Sequence, residues 1–105
     1  MAYLAYVTVP GREIALSIAR ALVQARLAAG VNVIPGAFSV YRWQGEVREA
    51  EECLLIAQIS ETAFDDFCRV ARELHCHEVP CVICLPVQAG HEPFLRWIEA
   101  NSQPM

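Results

Sequence analysis

Two long strand-forming runs meet at a single short break. "VNVIPGAFSVYRW" (Val31–Trp43) and "EVREAEECLLIAQI" (Glu46–Ile59) flank Gln44-Gly45. Glycine supplies the positive φ that a tight hairpin turn demands, so the pair reads as one long hairpin. Pro35-Gly36 must bend or bulge the first arm, because proline has no N–H for the ladder. Phe38 and Val40 fall on one face of that arm, and Ser39, Tyr41 and Trp43 on the other. With 105 residues the chain is expected to form a single domain, residues 1–105. An arm this long overshoots the core of so small a domain. Its distal half is therefore expected to pack on a neighbouring subunit. The 55% hydrophobic content points the same way, towards a homo-oligomer that covers apolar surface with copies of itself.

The remaining elements arrange themselves around the hairpin. "AYLAYVTV" (Ala2–Val9) is β-branched and aromatic-rich and reads as a strand, ended by Pro10-Gly11. A helix is expected from about Arg12 to Ala29, with Ala15, Ile18, Leu22, Ala25 and Ala29 on one apolar stripe and Gly30 as its stop. A second helix begins near Thr62, where Thr62 and Asp65 suggest a capping box. Phe64, Phe67, Cys68, Ala71 and Leu74 are its expected core face. "CVICLPV" (Cys81–Val87) is nearly continuous in apolar character and reads as a strand buried on both faces. Pro93 opens a last short helix. The order β-α-β-β-α-β-α contains the split β-α-β, ferredoxin-like arrangement, an α+β fold with a C-terminal helix added.

Composition excludes several functions. All eight basic residues are arginines, scattered rather than clustered, so no stripe tracks a nucleic-acid backbone. No run is long and apolar enough for a membrane span. The N-terminal stretch lacks the basic n-region of a signal peptide, which makes a cytoplasmic location the expectation. There the five cysteines would be reduced, and their odd number also argues against a closed disulfide framework.

The residues also resemble a known family. "ARLAAGVNVIPGAFSVYRWQGEVREAEECLLI" (Ala25–Ile56) is close to the pattern of the CutA family, small trimeric proteins named for tolerance to divalent cations. "ELHCHEVPCVICLPV" matches that family's histidine, E-P and LPV frame, and "FLRWI" matches its tail. The resemblance covers nearly the whole chain. It implies a homotrimer of ferredoxin-like subunits interlocked by their hairpins, similar in architecture to the PII nitrogen-regulatory proteins. It also implies binding of copper or another divalent cation. His75, Glu78, Pro80, Tyr41, Trp43 and Glu52 agree with the family pattern. The departures are Gly30 in place of cysteine, Cys76 and His77 in place of proline and tyrosine, and Cys81 in place of glutamate. Gln58 and Glu46 stand where lysines are frequent.

The chemistry-bearing residues concentrate in "HCHEVPCVIC" (His75–Cys84). Cysteine and histidine suit copper and zinc, and copper heads the affinity order for such donors. His75, Cys76 and His77 lie in an expected loop. Cys81, at the mouth of the following strand, is placed to join them. Cys84 points to the opposite strand face and belongs to the core. The candidate metal ligands are therefore His75, Cys76, His77 and Cys81. Tyr41, Trp43, Glu52 and Glu78 are a second set, expected to line a cleft between subunits. If small molecules bind there, the protein is a PII-like regulatory trimer instead. A cysteine beside a histidine could act as nucleophile and base, and Glu52 with Glu78 as a carboxylate pair. No oxyanion donor or acidic orienter accompanies either at fixed spacing, so the chain reads as a non-enzyme.

Overall fold

The computed structural model describes residues 1–104. Its elements are β1 (Ala2–Val9), α1 (Arg12–Gln24), β2 (Gly30–Trp43), β3 (Glu46–Ser60), a 3-10 turn (Glu61–Ala63), α2 (Phe64–Leu74), β4 (Val82–Pro86) and α3 (Glu92–Asn101). The four strands form one sheet in the order β2-β3-β1-β4. Every pairing is antiparallel, and β1 lies between β3 and β4. This is the ferredoxin-like α+β arrangement.

The alternation of strand residues decides where the core sits. Ala5, Val7 and Val9 of β1, with Cys53, Leu55, Ala57 and Ile59 of β3, point to one face and are buried. Ala15, Ile18 and Leu22 of α1 and Phe67 and Ala71 of α2 close over them. Phe67 is the largest fully buried side chain, and burying it contributes roughly 1.5–3 kcal/mol. The small alanines let both helices lie close on the sheet.

Ile34 pairs with Leu54 and Ala37 with Glu52, so Pro35-Gly36 forms a bulge, with Gly36 at φ +81. The hairpin closes on Trp43 opposite Glu46, with Gln44 at φ 51 and Gly45 at φ 79. Two successive positive φ values make a type I′ turn, so Gln44 shares the left-handed conformation expected of the glycine alone. The arms carry the molecule to 43 Å along its long axis, against 26 and 22 Å across it. At the far end Phe38 is 75% and Val40 66% exposed in the single chain.

Four expectations are corrected. First, α1 ends at Gln24, not Ala29. The Leu27 N–H reaches the Leu22 carbonyl and the Arg26 N–H reaches Val23, with Arg26 at φ 61, which is a Schellman stop built without glycine. The turn frees Leu27 and Ala28 to enter the core. The Arg26 guanidinium donates to the carbonyls of Ala100 and Gln103, tying this strained residue to the end of α3. Second, no capping box forms at α2. A 3-10 turn precedes the helix, its N-cap is Ala63, and the Thr62 hydroxyl pairs with Ser60 instead. Third, only Phe67 and Ala71 of the expected α2 core face are fully buried, and Leu74 is exposed. Fourth, β4 is an edge strand covered on one face. Val82 and Cys84 pack on the core, whereas Ile83 is 54% and Leu85 61% exposed. α1 and α2 close over the core face, and α3 brings Trp97 beside Gly30 on the other face at the β2–β3 side of the sheet, so β4's outward residues stay open, beside Leu4 and Tyr6 of β1.

The C-terminal end is held by a polar knot that carries no sequence motif. The buried Ser102 hydroxyl accepts the Ser60 N–H at 2.8 Å and donates to the Leu27 carbonyl at 3.0 Å, while the Ser60 hydroxyl donates to the Ser102 carbonyl.

Candidate functional site

The segment joining α2 to β4 runs against the hairpin. Its first residue, His75, caps α2 in an extended conformation and donates its N–H to Ala71 at 3.0 Å. The His75 side chain is only 7% exposed. Its Nε2 lies 2.7 Å from the Thr8 carbonyl, and its Nδ1 accepts the His77 N–H at 3.1 Å. A carbonyl can only accept and an amide N–H can only donate, so this pair of partners selects the imidazole with its proton on Nε2. Both ring nitrogens are occupied. His75 thus fastens the segment to β1 and sets the direction in which Cys76 and His77 leave it.

A cleft of about 760 Å³ opens between this segment and the hairpin. Cys76, His77, Glu78 and Cys81 line one wall, and Phe38, Val40, Tyr41, Trp43, Arg48 and Glu52 the other. Tyr6 and Thr8 of β1 form part of its lining. Of the eight residues singled out from the sequence, seven line this one cleft; the exception is His75. The His75 and His77 rings are 4.9 Å apart, yet only His77 faces the opening. Cys81 lies just before β4, and Cys84 packs on the core from the other face of that strand.

Thiol environments differ sharply. Cys76 and Cys81 are exposed, Cys53 is buried, and Cys68 and Cys84 are half-buried. Burial pushes the Cys84 thiol up to about 12, with the neighbouring Cys68 adding to the shift. Burial raises Cys68 as well, partly offset by Arg72. Since the thiolate is the ligand and the nucleophile, the core thiols are poorly suited to either task. Among the described residues no three His, Cys, Asp or Glu side chains converge into a ready-made metal cage. The donors present are two thiols and an imidazole beside a carboxylate, a soft set on a bent segment.

Arg48 was not among the residues chosen from the sequence, although it places a cation in a cleft that also holds Glu52 and Glu78. Its signal was available, because a two-residue turn at Gln44-Gly45 sets Arg48 opposite Tyr41. Tyr6 and Thr8 had no such signal, since their place depends on β1 lying beside β4.

A family profile described as CutA1 divalent ion tolerance protein matches residues 3–101. The chain belongs to this CutA family. A divalent-cation tolerance protein CutA from Thermus thermophilus is 44% identical over 96 residues, covering 91% of this chain and 93% of the relative. A solved structure of the Thermus thermophilus protein superposes with a TM-score of 0.96 at 42% identity, covering 98% of this chain and 100% of the other. A PII-like CutA protein from Nostoc, solved in its apo form, superposes with a TM-score of 0.90 at 27% identity, covering 98% and 99%. The CutA chain described here thus combines the family's fold with a cleft wall that carries two exposed thiols.

Proposed function

We propose that this CutA chain is a divalent-cation tolerance protein that assembles as a homotrimer and holds soft metal ions, copper foremost, at the Cys76–Cys81 wall of the cleft. The observation that carries this reading is that Cys76, His77 and Cys81 share one wall of one cleft, with Glu78 between them. Thiolate and imidazole donors favour copper and zinc over magnesium. Because the cage is not closed in advance, ion binding would order the segment, and the affinity would be moderate. His75 would act by positioning its neighbours rather than by ligation.

Assembly is supported by the exposed Phe38 and Val40 at the far end of the hairpin and by the open sheet face carrying Ile83 and Leu85. Three copies would each cover these surfaces, and the cleft would then lie between subunits. The family's name denotes tolerance rather than catalysis, which supports a binding role. A reducing, cytoplasmic setting suits the five free thiols. No helix among the described residues is long and apolar enough to cross a membrane.

Calorimetry with copper, zinc and magnesium, each on the reduced protein, tests the ion reading. Copper is expected to bind tightest and magnesium not at all, and a C76S/H77A/C81S variant is expected to lose most of the copper affinity. Equal binding by that variant would refute it. One observation favours a second reading. A volume of about 760 Å³ lined by Tyr41, Trp43, Arg48, Glu52 and Glu78 suits a small polar organic molecule better than a bare ion. A thermal-shift screen of small polar molecules, with a W43A control, separates the two.

A further inference from the structure

The segment between α2 and β4 is pinned at both ends to adjacent residues of one strand. His75 binds the Thr8 carbonyl through its ring, and Val82 pairs with Val7. Cys76 and Cys81 are each the first residue inside a pin. Both are exposed, both line the same cleft wall, and residues 76–79 between them are bent rather than extended. The other three thiols are buried or packed on the core.

We propose that Cys76 and Cys81 are a redox-active dithiol that closes to an intrasegment disulfide. A disulfide needs its Cα atoms within about 7 Å, and pins on adjacent β1 residues draw the segment's ends together. The ring formed is small, so the bridge restrains only this segment and leaves the core untouched. A low-molecular-weight disulfide such as oxidised glutathione is the oxidant. The thiolate of one cleft cysteine attacks a sulfur of that disulfide, breaking its S–S bond and expelling one small thiolate. The second cleft thiolate then attacks the protein sulfur of the mixed disulfide and expels the other small thiolate. Two protons leave the cleft thiols and end on the two small thiols released. The protein pair is oxidised and the small disulfide is reduced.

Closure removes both thiolates from the cleft wall and leaves His77 as its only soft donor. Oxidation would therefore release a thiophilic ion, a consequence that rests on the ion-binding reading above, whereas the disulfide itself does not.

The test uses the full chain in a metal chelator, equilibrated with glutathione buffers from fully reduced to fully oxidised, then alkylated and weighed. The expected result is a main species in the oxidised buffers that has lost the mass of two hydrogens and two alkylation sites, remains a single chain on a non-reducing gel, and reverts with dithiothreitol. C76S and C81S, both exposed positions that a serine fits, should each give a single glutathione adduct and no bridge. Saturating adducts on the wild type without closure would overturn the proposal. So would a bridge that survives in both variants, or covalent dimers in place of the internal bridge. Zinc titration of reduced and bridged protein without chelator is the separate arm. Loss of zinc binding on closure supports the release step; absence of zinc binding to the reduced protein sinks the ion reading and leaves the dithiol standing.

Discussion

His75→Ala separates the positioning role from ligation. The ring makes two hydrogen bonds, to the Thr8 carbonyl at 2.7 Å and from the His77 N–H at 3.1 Å. Each contributes a net ~1 kcal/mol, and leaving the partly buried Thr8 carbonyl without its donor adds about 1 kcal/mol more. With the packing of a nearly buried ring, the loss comes to about 2–4 kcal/mol. For a chain of this size, with a urea slope of about 1–3 kcal/mol per M, the midpoint falls by about 0.7–4 M. The assay is urea unfolding followed by circular dichroism, with every variant at one protein concentration so that any contribution of assembly to stability is held constant. His77→Ala is the comparison, since its backbone N–H, not its ring, makes the bond. It should change stability by less than about 0.5 kcal/mol while weakening copper binding. If His75→Ala left the midpoint unchanged, or if His77→Ala were the more destabilising, the account of His75 as the fastener would be wrong.

Three further outcomes are expected. Arg26 holds a left-handed φ of 61 while its guanidinium donates to Ala100 and Gln103. Arg26→Ala loses those bonds and keeps the strain, whereas Arg26→Gly loses the bonds but relieves it, so the glycine variant should be the more stable of the two by about 1 kcal/mol in the same unfolding assay. Cys84 titrates at about 12 in the fold against an ordinary thiol value of 9.0, so the unfolded chain sheds its proton first as the solution is made alkaline. Stability is then fully present below about pH 9 and declines between about pH 9 and 12, and Cys84→Ala should flatten that decline in unfolding midpoints taken at pH 8 and pH 11. Phe38 and Val40, at 75% and 66% exposure, sit where a neighbouring subunit would bind, so F38E/V40E should lower the mass measured by light scattering from trimer towards monomer while leaving the circular dichroism of the subunit intact.

The parts of this fold that could be read from sequence are those where local chemistry has one solution. Gln44-Gly45 between alternating runs permits a tight hairpin and little else, and Pro35-Gly36 can only interrupt the ladder. Where tertiary contacts decide, the sequence misled. The alanine-rich stretch after Gln24 has every local reason to stay helical, yet Leu27 and Ala28 contribute more by turning into the core. The apolar run at β4 reads as buried on both faces, yet its outward residues, Ile83 and Leu85, are exposed on a sheet face that no helix among the described residues reaches at β4. The Ser60–Ser102 knot joins positions 42 residues apart and has no periodic or motif signature. At the cleft, the grouping of Cys76, His77 and Cys81 on one segment was legible, but the hydrogen bonds that hold His75 were not. Its partner, the Thr8 carbonyl, is a backbone atom 67 residues away and leaves no trace in side-chain pattern.

The most direct test of the ion reading is an anomalous difference map, collected at the copper edge, from crystals of the reduced protein soaked in copper under reducing conditions. The account predicts one strong peak per chain within ligand distance of Cys76, His77 and Cys81, with the His75 ring still on the Thr8 carbonyl. A peak on His75 itself, or copper confined to other surface groups with the cleft empty, would contradict it.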